Sequence, residues 1–151
     1  MNSNPIILFQ EAKSIASGIP DFLNANGHGK GNKVTNSFMN QLRERMFDLL
    51  KEDCSEKKIC EDNELAVDYY FKDESTIVEI ALGLKKPNSE YEKDVLKAII
   101  AQENGLSVSR LIFIAKSGAK KKCNQPARNR IKEWLKENYK IELEVWELNA
   151  T

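Results

Sequence analysis

Two acidic residues stand inside otherwise apolar β-strand patterns of this sequence. Asp68 lies in the run Leu65–Phe71 and Glu79 in the run Thr76–Leu84, with the polar stretch 72–75 between them. Both runs are rich in β-branched and aromatic residues, so they predict a hairpin that turns at the polar stretch. An ionised carboxylate among apolar neighbours is costly unless a cation, a donor or a ligand meets it. The pair is therefore the first candidate for chemistry.

The strand period of two predicts where these carboxylates point. Asp68 shares a face with Ala66 and Tyr70, while Glu79 shares a face with Ile77 and Ala81. If the apolar faces of the strands coincide, both carboxylates project together from the opposite face. Two carboxylates held in this way suit a hard divalent cation such as Mg²⁺, with a substrate phosphate as a further ligand. The alternative is a pair of half-exposed charges that protect a sheet edge.

Length and composition indicate an ordinary globular protein. The chain has 151 residues, enough for one hydrophobic core. We predict a single domain, with an N-terminal helix and a Gly/Lys-rich loop over 1–34 and the core over 35–151. No apolar run approaches the ~20 residues of a membrane-spanning helix, and the first residues lack a signal-peptide pattern. We therefore expect a cytoplasmic protein without a membrane partner.

The cysteines and the charge distribution exclude few classes of protein. Cys54, Cys60 and Cys123 are odd in number and widely spaced, which favours reduced thiols over a disulfide framework. With His28 they could bind zinc, although no Cys-x-x-Cys pair supports such a site. The formal net charge is zero, yet basic residues cluster locally, which can attract phosphate to one surface. The alternative for each cluster is a solvated loop or helix face.

Periodicity and capping signals predict an α/β (α+β) fold of element order ααββαβαβ. The last three crossings between helices and strands in this order favour a mixed central sheet flanked by helices. The predicted helices cover 6–17, 35–51, 90–103 and 126–138, and the strands cover the two halves of 65–84, 110–115 and 141–148.

This order, with an aspartate on one hairpin strand and Glu-x-Ala on the next, resembles the PD-(D/E)xK nuclease superfamily. More narrowly, it resembles the type II restriction endonucleases. The resemblance covers most of the chain from Gly29 onward, including the strands Val67–Phe71 and Ile77–Leu82, the helix residues Tyr91–Asp94 and the strand Leu111–Ala115. It implies a restriction-endonuclease-like core and Mg²⁺-dependent hydrolysis of phosphodiester bonds in DNA.

The resemblance also implies roles for single residues. In such families the aspartate and the glutamate hold Mg²⁺, which assigns the metal ligands to Asp68 and Glu79. Glu44 on the preceding helix is a candidate for an accessory acidic position. The residues expected to contact nucleic acid, mostly through phosphate, are Lys30, Asn32, Lys33, Lys116, Lys120, Lys121, Lys122, Arg128 and Arg130. Duplex cleavage needs two sites, which favours a homodimer.

The sequence departs from the family pattern at the third motif position. Ala81 stands where a lysine, glutamate or glutamine is expected, and its methyl group can neither bind a metal nor orient water. One interpretation is that a lysine from elsewhere reaches the site. We assign that role to Lys93, with Lys97 on the same helix and Lys85 in the preceding loop as alternatives. The other interpretation is a degenerate site in a domain that binds DNA, or a protein partner through the acidic segment 52–64.

Overall fold

The structure is a computed structural model that describes residues 3–20, 22, 30–60, 65–84 and 90–148, without the side chains of residues 30–32. The chain forms two compact units, residues 1–54 and residues 55–150. The helices and strands are α1 (Asn4–Gly18), α2 (Lys30–Leu50), β1 (Ser55–Lys58), β2 (Ala66–Phe71), β3 (Thr76–Ile80), α3 (Glu90–Glu103), β4 (Arg110–Ala115), α4 (Ala119–Cys123), α5 (Pro126–Tyr139) and β5 (Glu142–Glu147).

The first unit consists of two helices that pack against each other. Proline at the start of α1 suits a position where no intrahelical amide bond is required. Phe38 in α2 is fully buried and stacks on Phe22 with ring centroids 4.7 Å apart. An ion pair of 3.2 Å joins Arg45 of α2 to Glu11 of α1. The unit therefore combines a small apolar contact with a surface ion pair.

The second unit contains a five-stranded mixed sheet of order β1-β2-β3-β4-β5. The first three strands pair antiparallel, and β3, β4 and β5 run parallel. The connection from β3 to β4 contains α3, and the connection from β4 to β5 contains α4 and α5. The predicted mixed α/β architecture, with a sheet flanked by helices, is confirmed.

The core of the second unit lies between the sheet and these helices. Every residue of β4 except Arg110 is buried, as its continuous apolar run predicts. Tyr91 of α3 stacks on Phe113 of β4 with centroids 5.4 Å apart, and Leu135 of α5 is fully buried. The predicted bounds of α3 and β4 agree with the observed ones.

Two elements are absent from the predicted order, which the structure extends to ααβββαβααβ. The segment predicted as a connection contains β1, whose sequence Ser-Glu-Lys-Lys has no apolar residue and whose pairing comes from β2. The segment predicted as a basic loop contains α4, whose Ala119 and Cys123 are buried while lysines fill the positions between them. Neither element is marked by hydrophobic periodicity.

The start of the second helix also differs from the prediction. α2 begins at Lys30, so Lys30, Asn32 and Lys33 belong to its first turn and not to a loop. The remainder of the predicted Gly/Lys-rich loop over 24–29 lies outside the described residues, as do 61–64 of the acidic segment and Lys85. Within the described ranges, no helix combines the length and the apolar character needed to cross a membrane.

Candidate active site

The two predicted acidic residues face each other across the β2–β3 hairpin. The strands pair with Tyr69 opposite Val78, and the next step of this register places Asp68 opposite Glu79. Directly opposed residues of an antiparallel pair share a face of the sheet. Both carboxylates therefore project from the same side, which confirms the geometry predicted from the strand period.

Both carboxyl groups accept hydrogen bonds from backbone amides across the β2–β3 pair. The Asp68 amide donates to Glu79 Oε1 over 2.7 Å, and the Ile80 amide donates to Asp68 Oδ2 over 2.7 Å. Each side chain thus accepts from the backbone of the opposite strand. These two bonds leave one oxygen on each carboxyl group, Asp68 Oδ1 and Glu79 Oε2, for other partners.

Helix α3 brings a lysine to the second of these oxygens. Lys97 Nζ lies 3.2 Å from Glu79 Oε2 and 3.4 Å from Oδ1 of Asp94, one turn earlier on α3. Glu79 is only 2% exposed and Asp94 only 6%. The ammonium group is therefore shared by two buried carboxyl groups.

This environment disfavours ionisation of the strand carboxyl groups. Burial raises the pKa of Glu79 to about 9, with further contributions from hydrogen bonding to Asp94 and from the charge of Asp68. Burial also raises the pKa of Asp68, against the opposing effects of the Ile80 amide and Lys97. Both carboxyl groups hold protons more tightly than they would in water.

The neighbouring ionisable groups Lys97 and Glu90 also show an excess of carboxyl groups over cationic groups. Burial acts to lower the pKa of Lys97, but the charges of Glu79 and Asp94 outweigh it and the net shift is upward. The pKa of Glu90, the first residue of α3, is raised by desolvation and then by Asp94 and Asp68. One ammonium thus faces several carboxyl groups, and no described residue forms an ion pair with Asp68. The cluster therefore contains fewer cationic groups than carboxyl groups.

The third motif position lies in the core. Ala81 is 1% exposed, and its amide donates to the Ile114 carbonyl over 2.8 Å. Its methyl group contributes packing and no polar atom. The nitrogen expected near the glutamate comes instead from α3, as Lys97.

The structure places the other predicted active-site residues elsewhere. Lys93 lies on the exposed side of α3 and forms no ion pair within the described part of the chain, whereas Lys97 contacts Glu79. Glu44 lies on the exposed surface of α2 in the first unit, beside Arg43 and Phe47.

Asp94 is the member of the cluster to which the sequence prediction gave no role. The signal was present, since Asp94 lies on the stripe of α3 that also contains Tyr91, Val95 and Ala98, all of them buried. A carboxyl group on a buried helix stripe needs a partner just as one inside a strand does. Helical spacing then points to Lys97, three residues later.

The donor set of the hairpin fits a hard cation in part. Among the described residues, no three His, Cys, Asp or Glu side chains are arranged as a metal site. Asp68 and Glu79 nevertheless place two carboxyl groups side by side on neighbouring strands, with Lys97 in contact with Glu79 Oε2. Mg²⁺ commonly takes only one or two protein carboxylates and fills its remaining positions with water and substrate phosphate. The residues present therefore suit Mg²⁺ bound together with a phosphate-containing substrate.

Four of the predicted phosphate-binding residues are lysines that lie in α4 or just before it. Lys120 and Lys121 are exposed on α4 and Lys122 is half-buried, and none of the three forms an ion pair with a described residue. Lys116, also half-buried, precedes α4. Because α4 follows the carboxyl end of β4, and parallel strands end at one edge of the sheet, these lysines and Glu79 lie toward the same edge.

The two predicted arginines of α5 have acidic partners. Arg128 lies over the Tyr91 ring at 5.8 Å and 4.0 Å from Glu92. Arg130 is exposed and pairs with Glu133 at 3.4 Å and Glu137 at 3.9 Å. Both arginines therefore have acidic neighbours that a phosphate would have to compete with. Lys33 is exposed in the first turn of α2, and the side chains of Lys30 and Asn32 lie outside the described atoms.

Comparisons with protein-family models, with curated proteins and with solved structures found no match to this chain. We therefore infer the function from the chemistry of the site.

Proposed function

We propose that this protein is a Mg²⁺-dependent DNA endonuclease whose active site consists of Asp68, Glu79 and Lys97. The observation that carries the proposal is the contact of the buried Glu79 carboxyl group with the Lys97 ammonium, beside Asp68 on the neighbouring strand. Two carboxylates and an amine are the groups that the resemblance to PD-(D/E)xK nucleases implies. Here the amine comes from a helix and not from the strand.

Each residue has a definite role in this proposal. Asp68 Oδ1 and Glu79 Oε2 would hold Mg²⁺, and the backbone bonds to their other oxygens keep them in place. A bound Mg²⁺ supplies Lewis-acid polarisation of the phosphate and a bound water of lowered pKa. Lys97 supplies a fixed positive charge close to where negative charge develops, which is most effective in a site that excludes water.

The charge imbalance supports a cation site. Burying ionisable carboxyl groups without enough positive charge destabilises the folded protein, and proteins tolerate such groups mainly where function requires them. A divalent ion would compete with protons for Glu79 and Asp68, because burial raises the pKa of both carboxyl groups. The raised pKa of Glu79 is then what we expect of a ligand without its metal.

The experiment is nicking of supercoiled DNA by the purified protein with and without Mg²⁺. We expect Asp68→Asn, Glu79→Gln and Lys97→Met each to lower the rate by about 100-fold or more, since even residues that only orient metal ligands contribute about 10–100-fold. Lys93→Met is the matched control, because it removes the same charge from the exposed side of the same helix. Wild-type rates for the Glu79→Gln protein would refute the proposal.

A second function has its own supporting observation. The alanine at position 81 and the absence of a three-residue metal group among the described residues both favour a catalytically silent DNA-binding domain. That protein would bind DNA with strong salt dependence and cut none. Substitution of Lys120, Lys121 and Lys122 would weaken its binding, while Glu79→Gln would leave binding unchanged or strengthen it by removing negative charge.

A further inference from the structure

Glu56 lies inside strand β1 with a backbone conformation that strands do not favour. Its φ angle is 49°, in the left-handed region that residues other than glycine, asparagine and aspartate rarely adopt. β1 nevertheless keeps its register on β2 through this point, because Ser55 pairs with Tyr69 and Lys57 pairs with Val67. The strain is therefore confined to one residue of an otherwise regular strand pair.

The other left-handed residues in the described part of the chain have ordinary structural reasons. Apart from glycines they are Lys51, which follows the last residue of α2, Ser75 in the β2–β3 turn, and Lys140, which caps α5. Turns and helix ends commonly require one left-handed residue. Glu56 is the one member of these four that lies inside a strand or helix. Its conformation is therefore not explained by the end of an element.

The sheet register places Glu56 in line with the proposed metal ligands. The pairs on either side of it put Glu56 opposite Asp68, and Asp68 lies opposite Glu79. The three acidic residues form one row across β1, β2 and β3, whose strands are about 4.8 Å apart. Burial is the main cause of the raised pKa of Asp68, and the charges of Asp94 and Glu56 add to it. Glu56 thus combines a strained backbone with repulsion between like charges.

Both costs would disappear with glycine at this position, which adopts the left-handed region without strain and carries no charge. Strained residues other than glycine cluster at functional sites, where the strain is tolerated because the side chain is needed. A kink in β1 could also protect the sheet from pairing with another chain, because β1 is an edge strand. Glycine would supply that kink equally well. Edge protection therefore does not explain why the residue is a glutamate.

We propose that Glu56 is a positioning residue of the active site, where it accepts a hydrogen bond from a water molecule bound to Mg²⁺ at Asp68 and Glu79. A direct metal bond is not supported, because no three His, Cys, Asp or Glu side chains of the described residues are arranged as a metal site. Mg²⁺ usually keeps several waters, and groups that hold its ligands in place contribute to metal affinity. This role rests on the proposed function, which supplies the metal site.

The experiment measures Mg²⁺ binding to the full-length protein by isothermal titration calorimetry in the absence of DNA. We expect Glu56→Gln and Glu56→Gly each to weaken Mg²⁺ binding about tenfold or more, the usual effect of losing a group that holds a metal ligand in place. Glu103→Gln removes the same charge from the exposed end of α3. This control should bind Mg²⁺ as tightly as the wild-type protein.

Thermal denaturation in metal-free buffer tests whether the fold itself needs the glutamate. Glu56→Gly should raise the melting temperature by about 2–4 °C, because backbone strain and like-charge repulsion both disappear. Lys140→Gly relieves the same kind of strain at the end of α5. It should also raise the melting temperature, and it should leave Mg²⁺ affinity unchanged.

The results separate the role of Glu56 from the metal site itself. Wild-type Mg²⁺ affinity in Glu56→Gln, with binding lost in Glu79→Gln, would overturn the role of Glu56 and leave the endonuclease proposal standing. Equal weakening by Glu56→Gln and Glu103→Gln would indicate a general effect of charge and would overturn it too. A lower melting temperature of Glu56→Gly in metal-free buffer would mean that the glutamate serves the fold. Absence of Mg²⁺ binding by the wild-type protein would overturn both proposals.

Discussion

Glu79 and Glu144 are strand glutamates of one sheet, and each contacts a cationic side chain. They differ in how far that cation balances the nearby negative charge. Glu144 is partly exposed and accepts two bonds from the guanidinium of Arg110, which lower the pKa of its carboxyl group. Glu79 is buried and shares the single ammonium of Lys97 with Asp94, and burial raises its pKa. Arg110 balances the charge of Glu144 one to one, whereas Glu79 and Asp94 share one ammonium group.

On this difference we base the proposal that the Glu79 cluster is functional and that the Arg110–Glu144 pair is structural. A surface pair such as Arg110–Glu144 gains little free energy because water already solvates both charges. A buried cluster with too little positive charge is unfavourable by itself and becomes favourable when a cation joins it. Contact with a cation is therefore a poor indicator of function, whereas a buried carboxyl group with a strongly raised pKa is a useful one.

The largest effect should come from adding Mg²⁺, which supplies positive charge to the Glu79 cluster. We expect saturating Mg²⁺ to raise the melting temperature of the wild-type protein and of Glu144→Gln by about 5–10 °C, the shift that corresponds to ligand near 100 times its dissociation constant. Glu79→Gln removes a ligand oxygen and its charge, so its melting temperature should not respond. Thermal denaturation followed by circular dichroism measures the shift. An equal response of Glu79→Gln would contradict the assigned ligand.

The next effect concerns the way Lys97 is held. Asp94→Asn removes one of the two carboxylates around the ammonium and should lower the nicking rate about tenfold, as for other residues that orient an active group. In a Lys97→Met background the same change should add less than about twofold, because partners in one contact are not additive. Glu103→Gln, at the exposed end of α3, is the control. Full additivity would show that Asp94 acts independently of Lys97.

The two glutamates should give stability opposite dependence on pH. Because the folded protein retains the Glu79 proton that the unfolded chain releases above pH 4.5, this residue lowers stability as pH rises from 4.5 to about 9. The lowered pKa of Glu144 contributes stability above pH 4.5 that is lost as pH falls. In metal-free buffer, Glu79→Gln should be more stable near neutral pH by about 0.5–2 kcal/mol. Urea titrations across this range measure it, and a less stable Glu79→Gln would contradict the account.

The smallest effect should come from removing the Arg110–Glu144 ion pair. Arg110→Met/Glu144→Gln should change the free energy of unfolding by less than about 1 kcal/mol, as is usual for partly exposed ion pairs, and should leave Mg²⁺-dependent nicking intact. Urea denaturation and the nicking assay test both parts. A loss of nicking in this variant would remove the distinction between the two glutamates.

Sequence patterns predicted the elements whose burial follows a simple period. α3 and β4 were predicted with their observed bounds because each has its own apolar signal. β1 was missed because Ser55–Lys58 has no apolar residue and becomes a strand only by pairing with β2. α4 was missed because it is short and its lysines conceal two buried anchors. Local sequence does not contain those tertiary partners.

The site follows the same rule. Strand alternation was enough to predict that Asp68 and Glu79 share a face, since the hairpin fixes their register. The choice between Lys93 and Lys97 depends on the rotation of α3 against the sheet, and the prediction favoured Lys93. The buried stripe containing Asp94 could have identified Lys97 as the lysine that turns inward.

We propose that a divalent cation binds between Asp68 and Glu79, beside the Lys97 ammonium. The most direct test is a crystal structure of the protein grown with Mn²⁺, which can stand in for Mg²⁺ and is located by its anomalous scattering. We predict an anomalous peak within bonding distance of Asp68 Oδ1 and Glu79 Oε2 that disappears in the Glu79→Gln crystal. Absence of that peak from wild-type crystals at saturating Mn²⁺, with Lys97 still bonded to Glu79, would contradict the account.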